Sequence, residues 1–82
     1  MSQESKKTKP VRFADLTSEV CPMTFVKVKL HLEQINSGEV LEVVLKGDEA
    51  IRDVPRSVKE EGHRIVRVWQ EDDKFHLYIK KG

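Results

Sequence analysis

The chain contains one cysteine, Cys21, in 82 residues. A lone thiol cannot close an internal disulfide, form a Cys-x-x-Cys redox pair or build a multi-cysteine zinc site. A disulfide-stapled scaffold and thioredoxin-like dithiol chemistry are thereby excluded. Long apolar runs are also missing, and nothing approaches the roughly 18 residues a membrane span needs. The N-terminal segment lacks the apolar stretch of a signal peptide, so the expectation is a cytoplasmic protein with no membrane association. A strong charge of either sign is absent, the formal net charge being +1. That small excess is uneven. Lys6, Lys7, Lys9 and Arg12 face only Glu4 in the first twelve residues, while acids outnumber bases in the remainder. A nucleic-acid-binding role, which requires a basic face to neutralise phosphates, is not expected.

What is present suits one small domain: 38% apolar and 35% charged residues give a modest core with one wet face. Residues 1–10 read as a flexible basic tail and residues 11–82 as the domain. Val11 to Leu16 alternates like a short strand, and Thr17 to Val20 reads as a turn. From Pro22 to Asn36, proline at the first helical position, Asn36-Ser37-Gly38 at the end and Phe25, Val28, Leu32 and Ile35 in between predict a helix. Val26 to Leu32 also alternates as a strand would, but about 14 residues between helix-end signals is long for one. Glu39 to Lys46 is the clearest strand, flanked by Gly38 and Gly47. Beyond it, Asp48 is a candidate cap for a second helical segment, with a stripe of Ala50, Ile51, Val54 and Val58 and Gly62 at its end. Pro55 predicts a break, with a turn over 49–53 and a helix starting near the proline; on that reading Asp48 and Asp53 act as caps. His63 to Gln70 and Lys74 to Lys81 are two strands joined by a hairpin at Glu71-Asp72-Asp73. The order β-α-β-α-β-β predicts an α/β (α+β) two-layer sandwich, with two helices packed on one face of a four-stranded mixed sheet.

Trp69 and Tyr78 are expected to pack at the margin of the sheet. His31, His63 and His76 fall on different elements with no metal-ligand spacing between them, so no metal site is expected. Asp15 is positioned to fix the turn ahead of Cys21 through local hydrogen bonds. Phe25 is expected in the core and Met23 at the surface. Cys21 itself has two readings. A thiolate at a helix start is stabilised by unpaired backbone N–H groups and the helix dipole, opposed here by the nearby Glu19. Alternatively, an unpaired cysteine commonly fills core space and is inert. These physical arguments leave both open.

The segment Asp15-Leu16-Thr17-Ser18-Glu19-Val20-Cys21-Pro22-Met23-Thr24 resembles the start of the TusA/SirA family of small sulfur carriers, whose hallmark is an Asp upstream of a Cys-Pro-x-Pro step. Gly38 to Val43, Asp48-Glu49-Ala50, Asp53-Val54-Pro55, Gly62-His63 and Ile79-Lys80 match later landmarks of that family in order and spacing. The resemblance implies the same β-α-β-α-β-β sandwich and a sulfurtransferase role without cofactor, in which Cys21 accepts sulfane sulfur as a persulfide and passes it on. Its implied partners are a persulfide donor such as a cysteine desulfurase and a downstream thiol acceptor protein, with the chain itself a monomer. Asp15, Pro22 and Thr24 then support the helix start, and Glu19, Met23 and Lys27 are candidate partner contacts. Thr24 stands where the family has its second proline, and Ser18 where it often has glycine. The alternative reading is a non-catalytic regulatory or interaction module on the same fold.

Overall fold

The structure is a computed structural model and describes residues 9–19 and 23–82. Its elements run β1 (Arg12–Asp15), α1 (Met23–Leu32), β2 (Val40–Lys46), α2 (Asp48–Glu60), β3 (Arg64–Glu71) and β4 (Lys74–Lys80). The sheet order is β1-β2-β4-β3. β1 and β2 are parallel, with Ala14 opposite Val43, and α1 is the crossover such a pair requires. β4 lies antiparallel to both β2 and β3, so α2 carries the chain from β2 over β4 to the far edge. The predicted two-layer sandwich with a four-stranded mixed sheet is the observed architecture.

Period-2 patterning explains which face the helices cover. Leu41, Val43 and Leu45 of β2 and Leu77 and Ile79 of β4 are fully buried, packed with Val28 and Leu32 of α1 and Ala50, Val54 and Val58 of α2. The opposite face carries Glu42, His76, Tyr78, Arg67 and Trp69 by register. There Trp69 stacks on His76 at 4.8 Å and 9°, meets Tyr78 edge-on at 5.2 Å, and lies 4.7 Å under the Arg67 guanidinium. Trp69 is on an edge strand as expected, but Tyr78 sits on inner strand β4 and not at the margin, and packs edge-on against Trp69.

The second helix departs from the sequence expectation. It is continuous from Asp48 to Glu60 with Pro55 inside it, not a turn followed by a new helix. A mid-helix proline costs about 3 kcal/mol. Val54 and Val58 each bring roughly 1.5–3 kcal/mol when buried, and only an unbroken helix keeps Ala50, Val54 and Val58 on one face against the sheet. Nor do the two aspartates cap it. Gly47 occupies the N-cap with φ 104° and makes no side-chain cap bond, Asp48 is the first helical residue, and Asp53 lies mid-helix beside Arg52, 3.6 Å away. α1 is likewise shorter than predicted, ending at Leu32; Gln34 and Ile35 continue in a tighter turn that drops Ile35 into the core. The β3–β4 hairpin closes through Asp72-Asp73, with Asp72 at φ 55°, a left-handed conformation that aspartate tolerates.

Candidate functional site

Because β1 and β2 are parallel, both crossover helices begin at the same edge of the sheet, where the strands end. In open α/β sheets this is the edge that binds ligands, since helix N-termini present unpaired N–H groups there. Val20, Cys21 and Pro22 lie outside the described residues, but their neighbours on both sides are described. Pairing to β2 continues past β1 through the Leu16 N–H, which donates to the Val44 carbonyl at 2.9 Å and holds Leu16 in the core. Asp15 then organises the turn. Its Oδ1 accepts from the Thr17 backbone N–H at 3.1 Å and from the Thr17 hydroxyl at 2.8 Å. These two bonds hold its carboxyl below the usual carboxylate range, in that order, with Lys74 adding to the effect against a small opposing contribution from burial. The Glu19 N–H closes the turn on the Leu16 carbonyl at 3.1 Å. Ser18, inside this turn, does not have positive φ, so glycine is not needed at that position.

After the Cys-Pro step, α1 opens with Met23 exposed, Thr24 buried to 1% exposure and Phe25 packed against the core. The Thr24 hydroxyl has no hydrogen-bond partner among the described residues. Thr24 helps line a cleft of about 190 Å³ with Glu19, Lys46 and the start of α2 from Gly47 to Ala50. Three carboxylates against one ammonium give that cleft an acidic balance, and the ammonium, Lys46, also pairs with Asp73 at 3.4 Å. One turn further along α1, Lys27 Nζ reaches back to Glu19 Oε2 at 3.5 Å. Val26 and Leu30 continue from Met23 as an exposed apolar stripe on the same helix. The Glu19–Lys27 ion pair thus spans the Cys-Pro step in sequence, with Met23 exposed and Thr24 buried on the first turn of α1.

The family assignment follows from sequence comparison. The model of the sulfurtransferase TusA family matches residues 12–81. This chain belongs to the TusA sulfurtransferase family. Among relatives, a protein of Archaeoglobus fulgidus named "Putative sulfur carrier protein" is 43% identical over 79 residues, covering 95% of this chain and 90% of its own length. The "Sulfur carrier protein TusA" of Allochromatium vinosum is 31% identical over 61 residues, covering 74% of this chain and 80% of its own. In fold, the solution structure of HP1264 from Helicobacter pylori aligns with a TM-score of 0.65 at 15% identity, over 85% of this chain and 95% of that one.

The three histidines of this TusA-family chain do not converge. His63 Nδ1 accepts the Gly82 N–H at 3.0 Å and ties down the C-terminal residue, a structural role. His76 lies on the open face, 3.1 Å from Glu71 and 4.0 Å from Glu42. His31 meets Arg12 on the helix side of the sheet. Sequence reasoning missed both the Arg12–His31 contact and the Trp69–His76–Tyr78 cluster. Each joins residues on separate elements, and neither the packing of α1 over β1 that brings Arg12 to His31 nor the β3–β4 register that brings Trp69 to His76 is revealed by a local pattern. No helix among the described residues is long and apolar enough to cross a membrane.

Proposed function

We propose that the chain is a sulfur carrier in which Cys21 holds sulfane sulfur as a persulfide between a donor and an acceptor protein. The observation that carries this reading is positional: the one cysteine of the sequence immediately precedes α1 in the chain, and α1 starts at the sheet edge where α2 also starts. In the first step the Cys21 thiolate attacks the outer sulfur of the donor's persulfide. The donor's S–S bond breaks, its thiolate leaves, and Cys21-S-SH forms. An acceptor thiolate then attacks the terminal sulfur, and the Cys21 thiolate is the leaving group. Each step exchanges one S–S bond for another, so no external oxidant or reductant is consumed. A cysteine desulfurase persulfide fits the donor role chemically, and the exposed Met23, Val26 and Leu30 beside the Glu19–Lys27 pair supply an amphipathic docking surface for such proteins.

The non-catalytic alternative draws on Thr24 and Ser18. Neither replacement disturbs the described scaffold, since Ser18 sits in a turn without positive φ and Thr24 packs fully at the helix start. The test is incubation of the full chain with a persulfide donor followed by intact-mass measurement. The expected result is a gain of one sulfur atom that Cys21→Ser abolishes. Failure to load from several donors, together with slow alkylation of Cys21, would establish the interaction-module reading instead.

A further inference from the structure

We propose that the cleft between β1 and the exposed side of α1 binds a small dianionic oxyanion, free or as the head group of a phosphomonoester. The cleft has a volume of about 310 Å³ and is lined by Arg12, Lys27, Leu30, His31 and Gln34. Among the described residues no carboxylate lines it, in contrast to the acidic cleft at the start of α2. Arg12 Nε donates to His31 Nδ1 at 2.9 Å, across 19 residues of sequence. This bond fixes the guanidinium plane and leaves its terminal N–H groups for a ligand, in the fork geometry that matches an oxyanion. With Nδ1 accepting, the neutral ring carries its proton on Nε2, a further donor. His31 is held below its ordinary pKa first by burial and then by Arg12 and Lys27, so it remains a neutral partner to Arg12 near neutral pH. Lys27 contributes a second positive charge. Its existing partner is Glu19 at 3.5 Å, an ion pair with both side chains partly in solvent, the kind worth least and most readily exchanged. Leu30, 52% exposed, provides an apolar wall beside these donors. A donor set of one pre-oriented arginine, a lysine, an imidazole N–H and an amide, with one apolar side, is suited to a phosphate-like group bearing a nonpolar substituent. The proposal uses residues of β1 and α1 and does not depend on persulfide chemistry at Cys21.

The test is a titration of the ¹⁵N-labelled full chain with inorganic phosphate and, separately, with phenyl phosphate, at constant ionic strength and near-neutral pH. Saturable amide shifts centred on Lys27, Leu30, His31 and Gln34 are expected, weakened about tenfold or more by Arg12→Ala, as loss of a charge-assisted contact implies. Tighter binding of phenyl phosphate identifies the phosphomonoester as the ligand class, and equal affinity identifies the free anion. Arg12→Lys keeps the charge but not the fork, and is expected to recover only part of the affinity. Should Arg12→Ala lose the native spectrum, Lys27→Gln applies the same criterion. Non-saturating shifts spread over lysines elsewhere, such as Lys59 and Lys80, or unchanged affinity in the folded variants, would overturn the proposal. Persulfide loading, measured separately by mass, distinguishes that outcome from failure of the carrier reading.

Discussion

Replacing Thr24 by valine should stabilise the protein. Thr24 is 1% exposed at the start of α1, and its hydroxyl has no partner among the described residues. In proteins, a buried hydroxyl without a hydrogen bond costs about 1–3 kcal/mol. Valine has nearly the same shape, is likewise β-branched and has a similar helix propensity, so Thr24→Val removes the penalty without opening a cavity or altering the helix backbone. The expected gain is therefore about 1–2 kcal/mol. For a domain of this size each kcal/mol raises the thermal midpoint by roughly 4–8 °C, and at a urea slope near 1 kcal/mol/M it moves the chemical midpoint by about 1 M. Circular dichroism melts and urea titrations of wild type and variant would measure this directly, with an unchanged slope showing that the unfolded state is unaffected. A loss of stability in Thr24→Val would refute the reasoning, because it would mean that the hydroxyl is satisfied and contributes to the native state. Persulfide loading measured in parallel separates packing from chemistry. If the residue serves only as a packed scaffold element beneath the site, loading is unchanged while stability rises.

Pro55→Ala should also stabilise the chain, by roughly 1–2 kcal/mol: alanine restores the N–H that can bond to Ile51 and removes the ring clash, against about 1 kcal/mol lost through a freer unfolded chain, and a urea midpoint below wild type would contradict it. His31 titrates below 6.5 in the folded state, so the unfolded chain takes up the proton first as pH falls. Its contribution to stability is then complete above about pH 6.5 and declines as pH drops from there toward the folded-state value. Arg12→Ala should raise the His31 pKa, leaving the part of the depression due to burial, and an unmoved imidazole titration by NMR would show that Arg12 does not act on His31.

Most of the fold was legible because its strands and helices obey their own periods. The run from Val40 to Lys46 reads as a strand in any context, and the β3–β4 hairpin follows from the turn between two alternating runs. The second helix was misread for a physical reason. A proline penalty is local and visible in sequence, whereas the burial of Val54 and Val58 that outweighs it exists only once the sheet is underneath. The same limit explains the capping error at Asp48: Asp is a favoured cap, but the turn after β2 places Gly47 at that position with positive φ, and the aspartate moves into the first turn. At the site, Asp15, Glu19, Met23, Thr24 and Lys27 are close in sequence, so their proximity could be read from spacing alone. The Arg12–His31 pairing depends on how α1 packs over β1 and the aromatic cluster on strand register, and neither was readable.

The acidic character of the cleft at the helix starts bears on the thiol chemistry of the proposed carrier. Two helix N-termini favour an anion, and left unopposed they would lower the pKa of a nearby thiol. A strongly stabilised thiolate leaves readily but is a poor nucleophile, and the best attacking thiol has a pKa near ambient pH. A carrier must do both, attacking the donor's persulfide in one step and departing from its own sulfur in the next. Glu19, Asp48 and Glu49 line the same cleft and act against the dipoles, with Lys46 the only cation among the described residues that line it. On the proposed function, an acidic cleft at the helix starts favours a thiol that can both attack and leave over one held as a strongly stabilised thiolate. Gly47 occupies the α2 N-cap and makes no side-chain cap bond, so the N–H groups at that helix start are not spent on a capping side chain.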